Sequence, residues 1–126
     1  MSVVLDASAL LALIFGEKGA NYVLDQARGS HISTVNMVEI LAKCAARGIN
    51  GKDVMQQTDR LDIAVSSFSL QQAQIASDML PHTQAFGLSL GDRACLALTQ
   101  TLKLPVLTAD REWANLDIGV EIVLIR

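Results

Sequence analysis

Four carboxylates, Asp6, Glu39, Asp92 and Asp110, stand where apolar segments begin, end or change character. Asp6 closes the run Val3, Val4, Leu5, and Glu39 is set among Val38, Ile40 and Leu41. Asp92 opens the run from Ala94 to Leu98, and Asp110 follows Pro105, Val106, Leu107 and Thr108. Acids on solvated faces need no explanation. Acids embedded in core-forming segments do, because an unpaired buried carboxylate costs several kcal/mol. A divalent metal held by all four would remove that cost and supply chemistry.

Each acid also has a purely local account. Asp6 at a strand end can bind metal or cap the next helix, and Ser8 can assist through its hydroxyl or act as the cap itself. Glu39 lies one turn after Asn36, on the same helix face, and one turn before Lys43, with which it can form an i,i+4 pair. Ser89-Leu90-Gly91-Asp92 has the form of a capping box, in which Asp92 also gains from the helix dipole. Asp110 suits a turn, and Thr108 points the same way if the strand continues.

The elements that must position these groups follow from periodicity. Short apolar strands are predicted at 2–6, 31–34, 61–65, 104–108 and 121–125. Helices are predicted from Ala9 to near Gly16, at 17–28, 35–47, 51–60, 70–80 and 90–103, with a helical turn around Trp113. The helix at 17–28 carries a stripe of Ala20, Val23, Leu24 and Ala27, and the one at 35–47 a stripe of Val35, Val38, Leu41, Ala42 and Ala45. Ser69 is a plausible cap, Pro81 a stop, and 82–88 a loop. Strands alternating with helices indicate an α/β domain with a mainly parallel sheet of four to five short strands flanked by helices. Sites in such sheets lie beyond the carboxyl ends of the strands, where Asp6 and Asp110 fall.

Composition narrows the class. At 126 residues the chain is expected to form one domain, residues 1–126. Hydrophobic residues make up 51%, enough for a substantial core, while charged residues reach only 18%. That low fraction makes each acid in an apolar setting more informative. A net charge of −3 argues against gripping nucleic acid by overall basicity, though bound metal or a local basic patch could supply attraction. The aromatics Phe15, Tyr22, Phe68, Phe86 and Trp113 form no stacking platform for single strands. Cys44 and Cys95 have no zinc-type spacing and read as buried free thiols of a reducing compartment. The N-terminus lacks a basic region, and the apolar run from Ala9 to Phe15 is too short for a membrane span, so a cytoplasmic protein is expected.

Laid out in order, the motifs resemble those of PIN-domain proteins, and specifically the VapC-type toxins of bacterial toxin–antitoxin pairs. The marks are Leu5-Asp6-Ala7-Ser8, Ser33-Thr34-Val35-Asn36 with Glu39, Ser89-Leu90-Gly91-Asp92, and Leu107-Thr108-Ala109-Asp110-Arg111 with Trp113. Each is short; four in order along essentially the whole chain are specific. The resemblance implies a three-layer PIN-like sandwich and a metal-dependent endoribonuclease. It matches Asp6, Glu39, Asp92 and Asp110 to an acidic quartet binding Mg2+ or Mn2+, with Ser8, Asn36 and Thr108 in support. Hard oxygen ligands suit those ions. It further implies an RNA substrate, a cognate antitoxin and a homodimer, for which the apolar helices at 9–15 and 17–28 offer surface. Burial of those helices within the monomer is the alternative. Arg93 stands where many relatives have a small residue; it could meet an RNA phosphate or face solvent. Asp117 is a further candidate acid. His31 and His82 lie outside the motifs. Repulsion among the four acids should raise at least one pKa when no metal is bound.

Two other classes compete. A haloacid-dehalogenase-like phosphatase needs a second Asp two residues after the first, where Ser8 stands. A PIN fold retained only for binding or scaffolding would not need the complete quartet.

Overall fold

Val4 and Leu5 make up strand β1 (Val4–Leu5) and face opposite sides of the sheet. The same alternation recurs in β4 (Val106–Thr108), where Val106 lies with Val4 and Leu107 with Leu5. Both faces are therefore apolar, as a parallel sheet buried between two helical layers requires. The computed structural model describes residues 2–126. The remaining strands are β2 (His31–Ser33), β3 (Ala64–Ser66) and β5 (Ile122–Leu124). They pair in parallel in the order β3-β2-β1-β4-β5, with Leu5 opposite Leu107 and Thr108 opposite Leu124.

The Leu5 and Leu107 side is covered by α1 (Ala7–Phe15), α2 (Ala20–Gln26), α3 (Thr34–Ala46) and α4 (Gly51–Arg60), through Leu10, Val23, Ile40, Cys44 and Val54. The Val4 and Val106 side is covered by α5 (Leu70–Asp78), α6 (Leu80–Thr83) and α7 (Leu90–Leu102). Cys95 to Leu98, Ala76, Met79 and Trp113 fill that layer. The result is the expected three-layer α/β sandwich. No helix among the described residues is long and apolar enough to cross a membrane.

Several boundaries differ from the sequence expectation, each for a local reason. The helix predicted at 17–28 begins only at Ala20, because Gly19 takes a left-handed φ of 97° with its α-carbon pressed against the Ile125 carbonyl. The third strand starts at Ala64 rather than 61, since Asp62 adopts φ 60° to close α4. Pro81 does not stop a helix: it sits in the first turn of α6, where its missing N–H costs nothing, and a 3-10 turn over Gln84–Phe86 follows in place of the expected loop. Leu24, expected on the buried α2 stripe, is half exposed.

Strand order reverses direction next to β1. The chain steps outward through β2 and β3, returns across the sheet through α5 to α7, and inserts β4 on the other side of β1. Open α/β sheets bind ligands at such a switch point, beyond the strand carboxyl ends. Asp6 and Thr108 stand at that point.

Candidate active site

Asp6 is 5% exposed and follows Leu5 out of β1. Its Oδ1 accepts from the Ala9 amide at 2.8 Å, which makes Asp6, not Ser8, the cap of α1. Ser8 Oγ donates to the same oxygen at 2.6 Å and accepts from the Ala109 amide at 2.9 Å. Thr108 Oγ1 donates to Asp6 Oδ2 at 2.5 Å and accepts from the Asp110 amide at 3.0 Å. Two hydroxyls thus tie the end of β1 to the end of β4, which explains why a strand-end Ser and Thr accompany the acid. Asp110 itself is exposed and accepts from the Glu112 amide at 3.0 Å, capping the 3-10 turn Arg111–Asn115.

A second group forms where α3 leans on the start of α7. Asn36 is 1% exposed; its Nδ2 donates to Glu39 Oε1 at 3.0 Å and to the Gly91 carbonyl at 3.1 Å. Its Oδ1 is buried without a partner. The i,i+4 pairing of Glu39 with Lys43 does not form: the only ion pair among the described residues joins Arg126 to Glu17. Val38 does not crowd Glu39 as expected, being 67% exposed. Asp92 completes the capping box, with Oδ2 accepting from the Ser89 amide at 3.0 Å and Ser89 Oγ accepting from the Asp92 amide at 3.1 Å.

Electrostatics link the two groups. The Asp6 carboxyl is pushed up to about 6, chiefly by burial; the hydrogen bonds from Ser8, Thr108 and Ala9 oppose this, and the charge of Asp92 adds to it. The expected rise in one carboxyl pKa is therefore present, but desolvation causes most of it and repulsion little. The Cys95 thiol beneath is pushed well up by burial, with the charges of Asp6, Asp92 and Glu39 contributing. Asp6, Asp92 and Glu39 thus act on one point in the interior, and Asp110 joins through Thr108.

The donor chemistry fits a hard divalent cation. Asp92 Oδ1, Glu39 Oε2 and Asp110 Oδ2 take no hydrogen bond from any described residue, and no cationic side chain there offsets the acids. The carboxylates are not closed on a single point: no three His, Cys, Asp or Glu side chains among the described residues are gathered tightly enough to hold an ion. The capping bond of Asp92 and the Asn36 bond of Glu39 direct one oxygen of each elsewhere. A cation taken up here would neutralise a desolvated charge, so Mn2+ should raise the melting temperature. Calorimetry with and without the ion checks this; an unchanged transition would count against an assembled site.

Two other candidates fall outside the group. Arg93 turns toward α5 and donates from a terminal nitrogen to the Ala76 carbonyl at 3.2 Å, so it neither faces solvent freely nor points with Asp92. Asp117 lines a separate cavity of about 310 Å³ with Ile75, Asp78, His82 and Gln100. Gly91 is missing from the expected set. A methyl group there would lie 2.6 Å from the Glu39 carboxyl carbon. Its one trace in sequence is a glycine inside a helix start, where a capping box does not require it.

The family described as PIN domain matches residues 3–119. No curated protein matches the chain in sequence. Among solved structures, a toxin–antitoxin complex from Klebsiella pneumoniae is similar over 99% of this chain and 98% of its own, at TM-score 0.80 and 19% identity. A DNA-bound VapBC from Salmonella typhimurium matches over 100% and 99%, at TM-score 0.75 and 14% identity. Mycobacterium tuberculosis VapC20, a Sarcin-Ricin loop cleaving toxin, matches over 92% and 97%, at TM-score 0.72 and 17% identity.

Proposed function

The chain belongs to the PIN domain family, and from that premise we propose that it is a metal-dependent endoribonuclease, the toxin of a toxin–antitoxin pair. The observation that carries this reading is the buried Asp6 carboxylate. It is held by two hydroxyls at the sheet's switch point, with Asp92 and Glu39 close enough to act on the same interior and no cation beside them. Asp6 also caps α1, but a neutral cap such as serine or asparagine would do that without the cost of a buried charge.

In this reading Asp6, Glu39, Asp92 and Asp110 hold Mg2+ or Mn2+. The chemistry such an ion supplies when bound is charge neutralisation at the scissile phosphate and an acidified water. Ser8 and Thr108 fix both oxygens of Asp6, so its lone pairs keep one direction. Asn36 orients Glu39, with its amide locked by the Gly91 carbonyl. The capping box holds Asp92 at the start of α7, where the helix dipole favours its charge and that of a phosphate alike. No histidine stands in the group, since His31 lies within β2 and His82 lines the separate cavity that also holds Asp117. In this reading water is the nucleophile, and the products should carry a 3′-hydroxyl and a 5′-phosphate. End-group mapping of cleaved RNA checks this; a 2′,3′-cyclic phosphate would rule the mechanism out.

The complexes among similar structures support an antitoxin partner. An apolar cavity of about 330 Å³ between α1, α2 and α4, lined by Leu13, Ile14, Leu24, Ile49, Val54 and Leu61, suits an apolar segment of it. We also propose a homodimer. Size-exclusion chromatography with light scattering decides that point, and a monomer at high concentration would refute it. The deciding experiment for the reaction is cleavage of RNA with and without Mn2+, by the native chain and by Asp6→Asn. Equal cleavage by both would leave the scaffold reading standing.

A further inference from the structure

Gly91 is the second residue of α7 and is buried. It is absent from the positions of positive φ, so its backbone does not require glycine. In a helix glycine is less stable than alanine, because the unfolded chain is freer. What the glycine provides is space. A Cβ there would lie 2.6 Å from the Glu39 carboxyl carbon and 2.7 Å from Oε2, well inside contact distance. The Glu39 carboxylate therefore rests directly on the α-carbon of Gly91. Asn36 holds it there, bonded at once to Glu39 Oε1 and to the Gly91 carbonyl.

We propose that Gly91 is a positioning residue for the reaction: its missing side chain seats the Glu39 carboxylate against the first turn of α7, beside Asp92, so that both acids reach one ion. The proposal rests on the nuclease reading above. The carboxylate is the far end of a flexible side chain, so an added methyl displaces Glu39 and spares the helix. The fold tolerates the change and the site does not. A residue kept only for packing would show the opposite pattern.

Two measurements test this. The first is a thermal cycle on metal-free protein with Gly91→Ala, Glu39→Ala and the double variant. Gly91→Ala should raise the melting temperature in the Glu39→Ala background by about 3 °C more than in the native one, because only there is the space vacant. Equal shifts in the two backgrounds would overturn the contact. The second is Mn2+ binding by titration calorimetry. Gly91→Ala should weaken it by about tenfold or more, and Glu39→Asp, one methylene shorter, should recover part of that loss in the double variant. A native protein that binds Mn2+ alongside an unaffected Gly91→Ala would overturn the role of Gly91 alone. A native protein that takes up no Mn2+ would overturn the nuclease reading itself.

Discussion

In the nuclease reading Asp6→Asn should abolish RNA cleavage, by at least about a hundredfold, and at the same time stabilise the metal-free protein. Both effects have one source. The Asp6 carboxyl is pushed from 3.8 to about 6 by burial, a difference worth about 3 kcal/mol at neutral pH. A carboxyl whose pKa is raised on folding binds its proton more tightly when folded. Its contribution to stability is therefore full below pH 4, declines between about 4 and 6, and is lost above 6. Asparagine keeps an acceptor for the Ala9 amide and the Ser8 hydroxyl and brings no charge, while its amide nitrogen takes the place of Oδ2 and donates to Thr108 Oγ1 instead of accepting from it. The melting temperature of metal-free Asp6→Asn at pH 7.5 should exceed the native value by roughly 5–10 °C, and the gap should close toward pH 4. Mn2+ should raise the native transition and leave that of the variant in place. Differential scanning calorimetry at pH 4, 5.5 and 7.5 reads all of this. A variant less stable than native at pH 7.5 would refute the claim that the acid is held against a desolvation cost.

The second large effect belongs to a residue that touches no substrate. Trp113 is fully buried among Val4, Leu96, Leu98 and Val106, and it sits in the 3-10 turn that Asp110 caps. Its amide donates to the Asp110 carbonyl at 3.2 Å. Trp113→Ala opens a cavity in the α7 layer and should cost about 3–5 kcal/mol, or roughly 10–20 °C in melting temperature. Trp113→Phe should cost much less, because the indole Nε1 is buried without a partner and its removal relieves a polar group. In the nuclease reading, Trp113→Ala assayed well below its transition should still lose cleavage, since the turn presenting Asp110 is no longer anchored. Full activity there would separate Asp110 from the site.

How far the sequence alone led can be judged at α3. Its existence and ends were legible, because a hydrophobic run at helical spacing precedes Gly48. Its rotation was not. A stripe through Val35, Val38, Leu41, Ala42 and Ala45 was expected, whereas the buried residues are Asn36, Met37, Ile40 and Cys44. The helix is apolar on several sides, so periodicity has no single solution. The deciding contact is Asn36 against the start of α7, a tertiary bond between residues 55 apart. The inner strands and the mainly parallel α/β architecture were readable for the opposite reason, since β1 and β4 are largely apolar and buried on both faces, whereas the exposed edge strand β3 was placed three residues early. The acids stood out because they break or border such segments, and Ser8 and Thr108, which the family resemblance named as supporting positions, both bond to Asp6. The space above Gly91 could not be seen, since a glycine records nothing about what rests on it.

The sheet order has a consequence for the life of the chain on the ribosome. Asp6 emerges early and waits at the end of a strand whose second edge stays open until β4 arrives about a hundred residues later. Thr108, which closes the bond to Asp6, is made 102 residues after it. At a synthesis rate of about 5–20 residues per second, β1 stands uncovered for several seconds. An incomplete chain therefore carries an unpaired strand and separated carboxylates. The centre is complete only once β4 has joined β1, and the interval before that is the time in which another protein can reach the nascent molecule first.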